Sequence, residues 1–109
     1  MNINKLIINT LKQFNIPVRE NKYSGPDLTY ITFFEMNNYD EDYSEDINET
    51  EVHSLQIDLW SDRDVTQLKK DIKKALKAVF DEVTFTSLYE GDTKTHHIAF
   101  RCYFYEEVL

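Results

Sequence analysis

The sequence predicts an α+β domain: a mainly antiparallel sheet of about four strands with two helices, in the order α-β-β-α-β-β. Three observations carry that reading. The segment from Val52 to Glu107 runs as one plan: an alternating strand, a strongly amphipathic helix, then two more strands. Seven Tyr and seven Phe, within a chain that is 41% hydrophobic, supply enough material for a sheet packed on helices and argue against global disorder. At 109 residues the chain is long enough for one two-layer core, so residues 1–109 read as a single domain.

Taken in order, Ile3, Leu6, Ile7, Leu11 and Phe14 recur at helical spacing, so Asn2 to Phe14 is expected to be a helix closed by Asn15 and Pro17. Ser24-Gly25-Pro26-Asp27 is a turn cluster in which Pro forbids helix at its predecessor. Leu28 to Met36 then reads as a strand, because Tyr30, Ile31, Thr32, Phe33 and Phe34 are β-branched or aromatic without interruption. Leu55, Ile57 and Leu59 alternate with Ser54, Gln56 and Asp58, the period-two pattern of a strand with one buried face, which sets Trp60 on the polar side.

Ser61-Asp62-Arg63-Asp64 offers an N-cap hydroxyl and first-turn acids for the next helix. Its apolar stripe is Val65, Leu68, Ile72, Ala75, Leu76, Val79 and Phe80, and Lys69, Lys70, Lys73, Lys74 and Lys77 gather on the other side. Those lysines read as a solvated face whose stems cover apolar surface, since the aromatic and arginine neighbours of a nucleic-acid-binding element are missing. Val83 to Glu90 and His96 to Glu106 form the last two strands around a Glu90-Gly91-Asp92-Thr93 hairpin turn.

Composition narrows the chemistry. Two glycines and two prolines leave no phosphate-cradling loop and no Pro-rich linker. Cys102 is the only cysteine and falls on the apolar side of the last strand, where it reads as a small buried hydrophobe in a reducing setting. No signal sequence or membrane span is recognisable, which predicts a soluble, cytoplasmic product.

His96 and His97 point to opposite faces of a strand, and His53 would have to reach a shared metal from a different strand. Asp58 with Asp92-Thr93-Lys94 could in principle hold Mg²⁺ beside a lysine, but the triplet sits in a turn and such short patterns arise by chance. No nucleophile motif is present. The expectation is a protein without catalytic residues, cofactor or metal.

The net charge of −8 is concentrated in one place. Asp40, Glu41, Asp42, Glu45, Asp46, Glu49 and Glu51 fall between Asn37 and Glu51 with no Lys or Arg among them, so self-repulsion predicts a long acidic loop between the first two strands. It can serve as a solvated connector, as a surface that repels DNA at the wall or rim of a passage, or as a DNA mimic. None of these binds DNA directly.

Tyr30-Ile31-Thr32-Phe33, His53-Ser54-Leu55-Gln56-Ile57-Asp58-Leu59-Trp60-Ser61 before the main helix, and the closing Arg101-Cys102-Tyr103-Phe104-Tyr105-Glu106-Glu107 resemble the tail terminator or tail-completion (head-tail joining) proteins of long-tailed bacteriophages. The resemblance covers most of the chain and implies a structural virion protein of the tail and neck, assembled in the host cytoplasm. It implies a homohexameric ring that caps the tail tube protein and meets a head-completion or connector protein, with DNA passing and not binding. The seven acids would then line the passage or its rim. Tyr30, Phe33, Trp60, Tyr103 and Tyr105 would supply subunit or partner contacts, so that Trp60→Ala or Tyr103→Ala should weaken assembly more than monomer stability. The alternative, from another class, is a small acidic inhibitor of a basic enzyme, either a DNA mimic or an immunity protein.

Overall fold

The computed structural model describes residues 2–42 and 49–108, with side chains placed for 2–38 and 50–107. Asn2 caps the first helix, α1 (Ile3–Leu11), by accepting a hydrogen bond from the Lys5 amide at 3.1 Å. The helix tightens into a 3-10 turn, Lys12–Phe14, and stops at Asn15, whose φ of 56° is left-handed. Ile3, Ile7 and Leu11 form its buried stripe, as their spacing requires.

Five strands make one sheet in the order β1-β2-β3-β5-β4. They are β1 (Val18–Glu20), β2 (Tyr30–Asp42), β3 (Glu49–Ser61), β4 (Asp81–Glu90) and β5 (Thr95–Val108), with helix α2 (Thr66–Lys77) between β3 and β4. The α+β class holds, with one strand more than the sequence predicts. The extra strand, β1, pairs parallel with β2 and so makes the sheet mixed, while every other pairing is antiparallel.

The second departure is the acidic stretch. The pairing of β2 with β3 continues through Tyr39↔Val52, Asp40↔Glu51, Glu41↔Thr50 and Asp42↔Glu49, so much of the expected loop is a strand hairpin. Backbone ladder bonds supply what the acidic side chains do not, because every interior residue of a paired strand satisfies its own peptide group. The hairpin draws the molecule out to 53 × 22 × 22 Å, and the 15.4 Å radius of gyration exceeds the roughly 13 Å of a compact 100-residue domain.

Both helices lie on one face of the sheet. Val18, Ile31, Phe33, Leu55, Ile57, Leu59, Ile98, Phe100 and Cys102 meet Ile7, Leu11, Ile72 and Leu76 there in a single core. Burial pushes the Cys102 thiol up to about 12, so it is an inert core residue. Phe80 and Phe104 close one end of the core edge to face, with ring centroids 5.9 Å apart.

The start of α2 also differs from expectation. Ser61 is buried at the end of β3, where its hydroxyl bonds Thr29 Oγ1 at 2.8 Å and accepts from the Arg63 amide at 3.2 Å. Asp64 instead accepts from the Thr66 amide at 2.8 Å and the Thr66 hydroxyl at 2.6 Å, bonds that hold its carboxyl below the ordinary value. On the outer side of α2, the Lys69 and Lys73 ammonium groups stand 5.2 and 5.0 Å from the centre of the Phe85 ring. These two lysines cover apolar surface.

Candidate functional site: the open sheet face, the acidic hairpin and a buried histidine

Among the described residues no helix or second sheet covers the sheet face opposite the helices, so its side chains decide what the molecule presents. Period-two alternation delivers Tyr30 and Thr32 from β2, Gln56, Asp58 and Trp60 from β3, and His97, Arg101, Tyr103 and Tyr105 from β5 to this face. Cross-strand register then builds a ladder of rings. Trp60 sits opposite both Tyr30 and His97, stacking on the His97 imidazole at 3.8 Å and 8° and on Tyr30 at 6.4 Å and 21°.

The polar edges of these rings are satisfied locally. Trp60 Nε1 donates to Thr32 Oγ1 at 3.1 Å, and His97 Nε2 donates to Asp58 Oδ1 at 2.7 Å. Asp58 also accepts from Gln56 Nε2 at 3.1 Å, which explains how its carboxylate can be buried in the middle of a sheet. Asp58 is therefore bound up in packing. Its register partner Ala99 lies four residues along β5 from Thr95, about 13 Å at strand rise, so the Asp92-Thr93-Lys94 turn is not brought to it.

Of the residues expected to make partner contacts, Tyr30, Trp60, Tyr103 and Tyr105 reach the open face, and Tyr105 is 40% exposed. Phe33 does not. It is fully buried on the helix side, opposite Ile57 and two residues along from Ile31, because the strand's aromatic run alternates faces and places it on the core parity. Its bulk fills the core.

The acidic set is divided by the structure. Asp40, Glu41 and Asp42 belong to the end of β2, and Glu49 and Glu51 to the start of β3; Glu45 and Asp46 lie outside the described residues.

Glu51 leads to a grouping that the sequence did not reveal. Beyond the Phe80–Phe104 end of the core, on the helix-side face, His53 is buried with only 4% of its surface exposed. Its Nδ1 lies 2.5 Å from Glu35 Oε2, and its Nε2 lies 3.0 Å from Glu106 Oε1 and 3.9 Å from Glu51 Oε1. Asn38 Nδ2 donates to Glu51 Oε1 at 2.6 Å. Burial opposes charge on the imidazole, but the hydrogen bonds to Glu106 and Glu35 outweigh it and raise the His53 pKa above its ordinary value. The same bond to His53 holds the Glu106 carboxyl below its own. The cluster draws on β2, β3 and β5, so only the register could have shown it: Glu51 faces Glu106 directly, and like charges in that position call for a cationic neighbour.

Comparison with known proteins completes the site. No curated protein matches the chain in sequence. Among solved structures, a chain from the virion of a native gene transfer agent particle has the same fold, with a TM-score of 0.62 over 95% of both chains at 14% identity. Residues 18–107, from the start of β1 almost to the end of β5, match the family described as Tail completion protein gp17. A sheet with one open aromatic face, an extended acidic hairpin and no assembled catalytic group among the described residues thus belongs to a chain of the bacteriophage tail completion family, structural proteins of the virion tail.

Proposed function

We propose that the protein assembles as a homohexameric ring that caps the tail tube and joins it to the head connector, leaving a passage through which DNA moves without being bound. Family membership is the observation that carries this reading. Two features of the fold suit it. The β4 strand lies at the sheet edge with Leu88 and Tyr89 half exposed, and a closed ring covers such an edge with a neighbour. The open face offers Tyr30, Trp60, Tyr103 and Tyr105 as an aromatic surface of the kind enriched at interface centres.

In this arrangement the hairpins place Asp40, Glu41, Asp42, Glu49 and Glu51 of every subunit around the passage or its rim. A ring of carboxylates repels the phosphates of a duplex, so the genome does not adhere during transit. The test is to mix purified protein with tail tubes lacking their end cap and to image them by electron microscopy. A ring at one tube end is the expected result. No binding, even with head connector present, would turn attention to the small acidic inhibitor.

A further inference from the structure

The His53 cluster has the arrangement of a metal centre as well as that of an ion-pair group. Glu51, His53 and Glu106 each turn one ligand atom inward, and those atoms all lie within 4.8 Å of one another. A tetrahedral zinc ion with bonds of about 2.0–2.1 Å separates its ligands by about 3.3 Å. The two observed separations from His53 Nε2, 3.0 Å to Glu106 and 3.9 Å to Glu51, fall on either side of that edge length. With the third separation, between the two carboxylates, inside the same 4.8 Å, rotation of two glutamate side chains would draw the three atoms onto one ion.

The fourth carboxylate has a different place. Glu35 meets Nδ1, the ring nitrogen facing away from the other two acids. A carboxylate on that nitrogen fixes the imidazole tautomer with the proton on Nδ1, orients the ring and leaves the Nε2 lone pair for a metal. Asn38 holds the Glu51 carboxylate by its hydrogen bond. The imidazole is buried, and Glu51 and Glu106 are each about a fifth to a third exposed, so an ion has a way in.

We propose that Glu51, His53 and Glu106 bind a divalent transition-metal ion, zinc by preference, with Glu35 as the positioning carboxylate behind the histidine. The mixed nitrogen and oxygen donors favour zinc over magnesium, which keeps its waters and demands octahedral oxygen. Three protein ligands leave a fourth position for water. The ion would tie the root of the acidic hairpin, through Glu51 and His53, to the far end of β5, through Glu106. This proposal is independent of ring formation.

The experiment is titration calorimetry of the chelator-treated full chain with zinc sulfate alone. One zinc per chain with a micromolar or tighter dissociation constant is expected. Glu51→Gln and Glu106→Gln should each weaken binding at least tenfold, and Glu35→Gln about tenfold. His96→Gln should leave it unchanged. Circular dichroism confirms that each variant is folded, and cobalt(II) absorbance reads the coordination geometry directly in the wild type. Absence of binding tighter than millimolar, or binding that survives both Glu51→Gln and Glu106→Gln, would overturn the proposal.

Discussion

Replacing Trp60 by Ala separates a role in the subunit from a role between subunits. In the folded chain the indole lies flat on His97, whose ring bonds the Asp58 carboxylate, and donates to the Thr32 hydroxyl. Loss of about 100 Å² of buried aromatic surface at about 25 cal/mol per Å² costs about 2.5 kcal/mol. The broken bond to Thr32 adds about 1 kcal/mol. The total of about 3.5 kcal/mol lies within the range of Trp→Ala changes and is a large share of the stability of a domain this size. Urea unfolding of the monomer should show it, together with a fall in melting temperature of roughly 15 °C or more. Trp60→Phe keeps a ring on His97 and should lose only about 1–1.5 kcal/mol. The geometry thus turns the expectation for Trp60 toward monomer stability, and the half-exposed Tyr105 becomes the cleaner probe of assembly. A Trp60→Ala monomer that loses less than about 1 kcal/mol, yet no longer caps tubes, would refute this reasoning.

Other outcomes follow from the same contacts. Because carboxylates raise the His53 pKa above 6.5, its stabilisation is complete below that pH and fades as pH rises through the folded value; Glu106, held below 4.5, contributes above that pH and fades on acidification. Urea midpoints of metal-free protein should therefore peak between about pH 5 and 6.5, and His53→Leu should abolish the decline on the alkaline side. Exchanging Asp40, Glu41, Asp42 and Glu49 for Ser and Asn, with Glu51 kept for its place beside His53, should leave ring assembly intact and slow DNA delivery in an infection assay, whereas unchanged infectivity favours a merely solubilising hairpin. Cys102, buried and pushed up to about 12, should react with a thiol reagent only as fast as the chain unfolds. Gly25→Ala should cost about 1 kcal/mol in urea unfolding, since an added Cβ would stand 2.1 Å from the Tyr23 hydroxyl and break its bond to Asp27.

Much of this fold is legible in the sequence because period is a strong signal. The stripe of α1, the alternation in β3 and β5 and the side of the sheet taken by Trp60 and Cys102 all follow from residue spacing alone. The missed features lack a period. Val18–Glu20 is three residues long with one buried side chain, so nothing in it marks a strand; its partner β2 provides the template. Charge dominates the acidic stretch in the sequence, yet ladder pairing is a backbone property and tolerates charged side chains. Ser61 does not cap α2 because the chain runs on through residues 62–65 before it turns into a helix, and Asp64 accepts from the Thr66 amide just ahead of the N-cap, Val65. The His53 cluster depends on register across three strands, which spacing within any one of them does not contain.

The position of β3 has a mechanical consequence. It is paired with β2 from Glu49 to Trp60 and with β5 from Glu49 to Ser61, so the same strand runs from the middle of the core out into the hairpin. A pull on the outer end along the strand axis loads two complete ladders in shear, with many hydrogen bonds sharing the force at once. A sideways pull would open them one at a time. For a structural part of a virion tail, the direction of strain relative to this one strand decides whether the subunit resists or unzips.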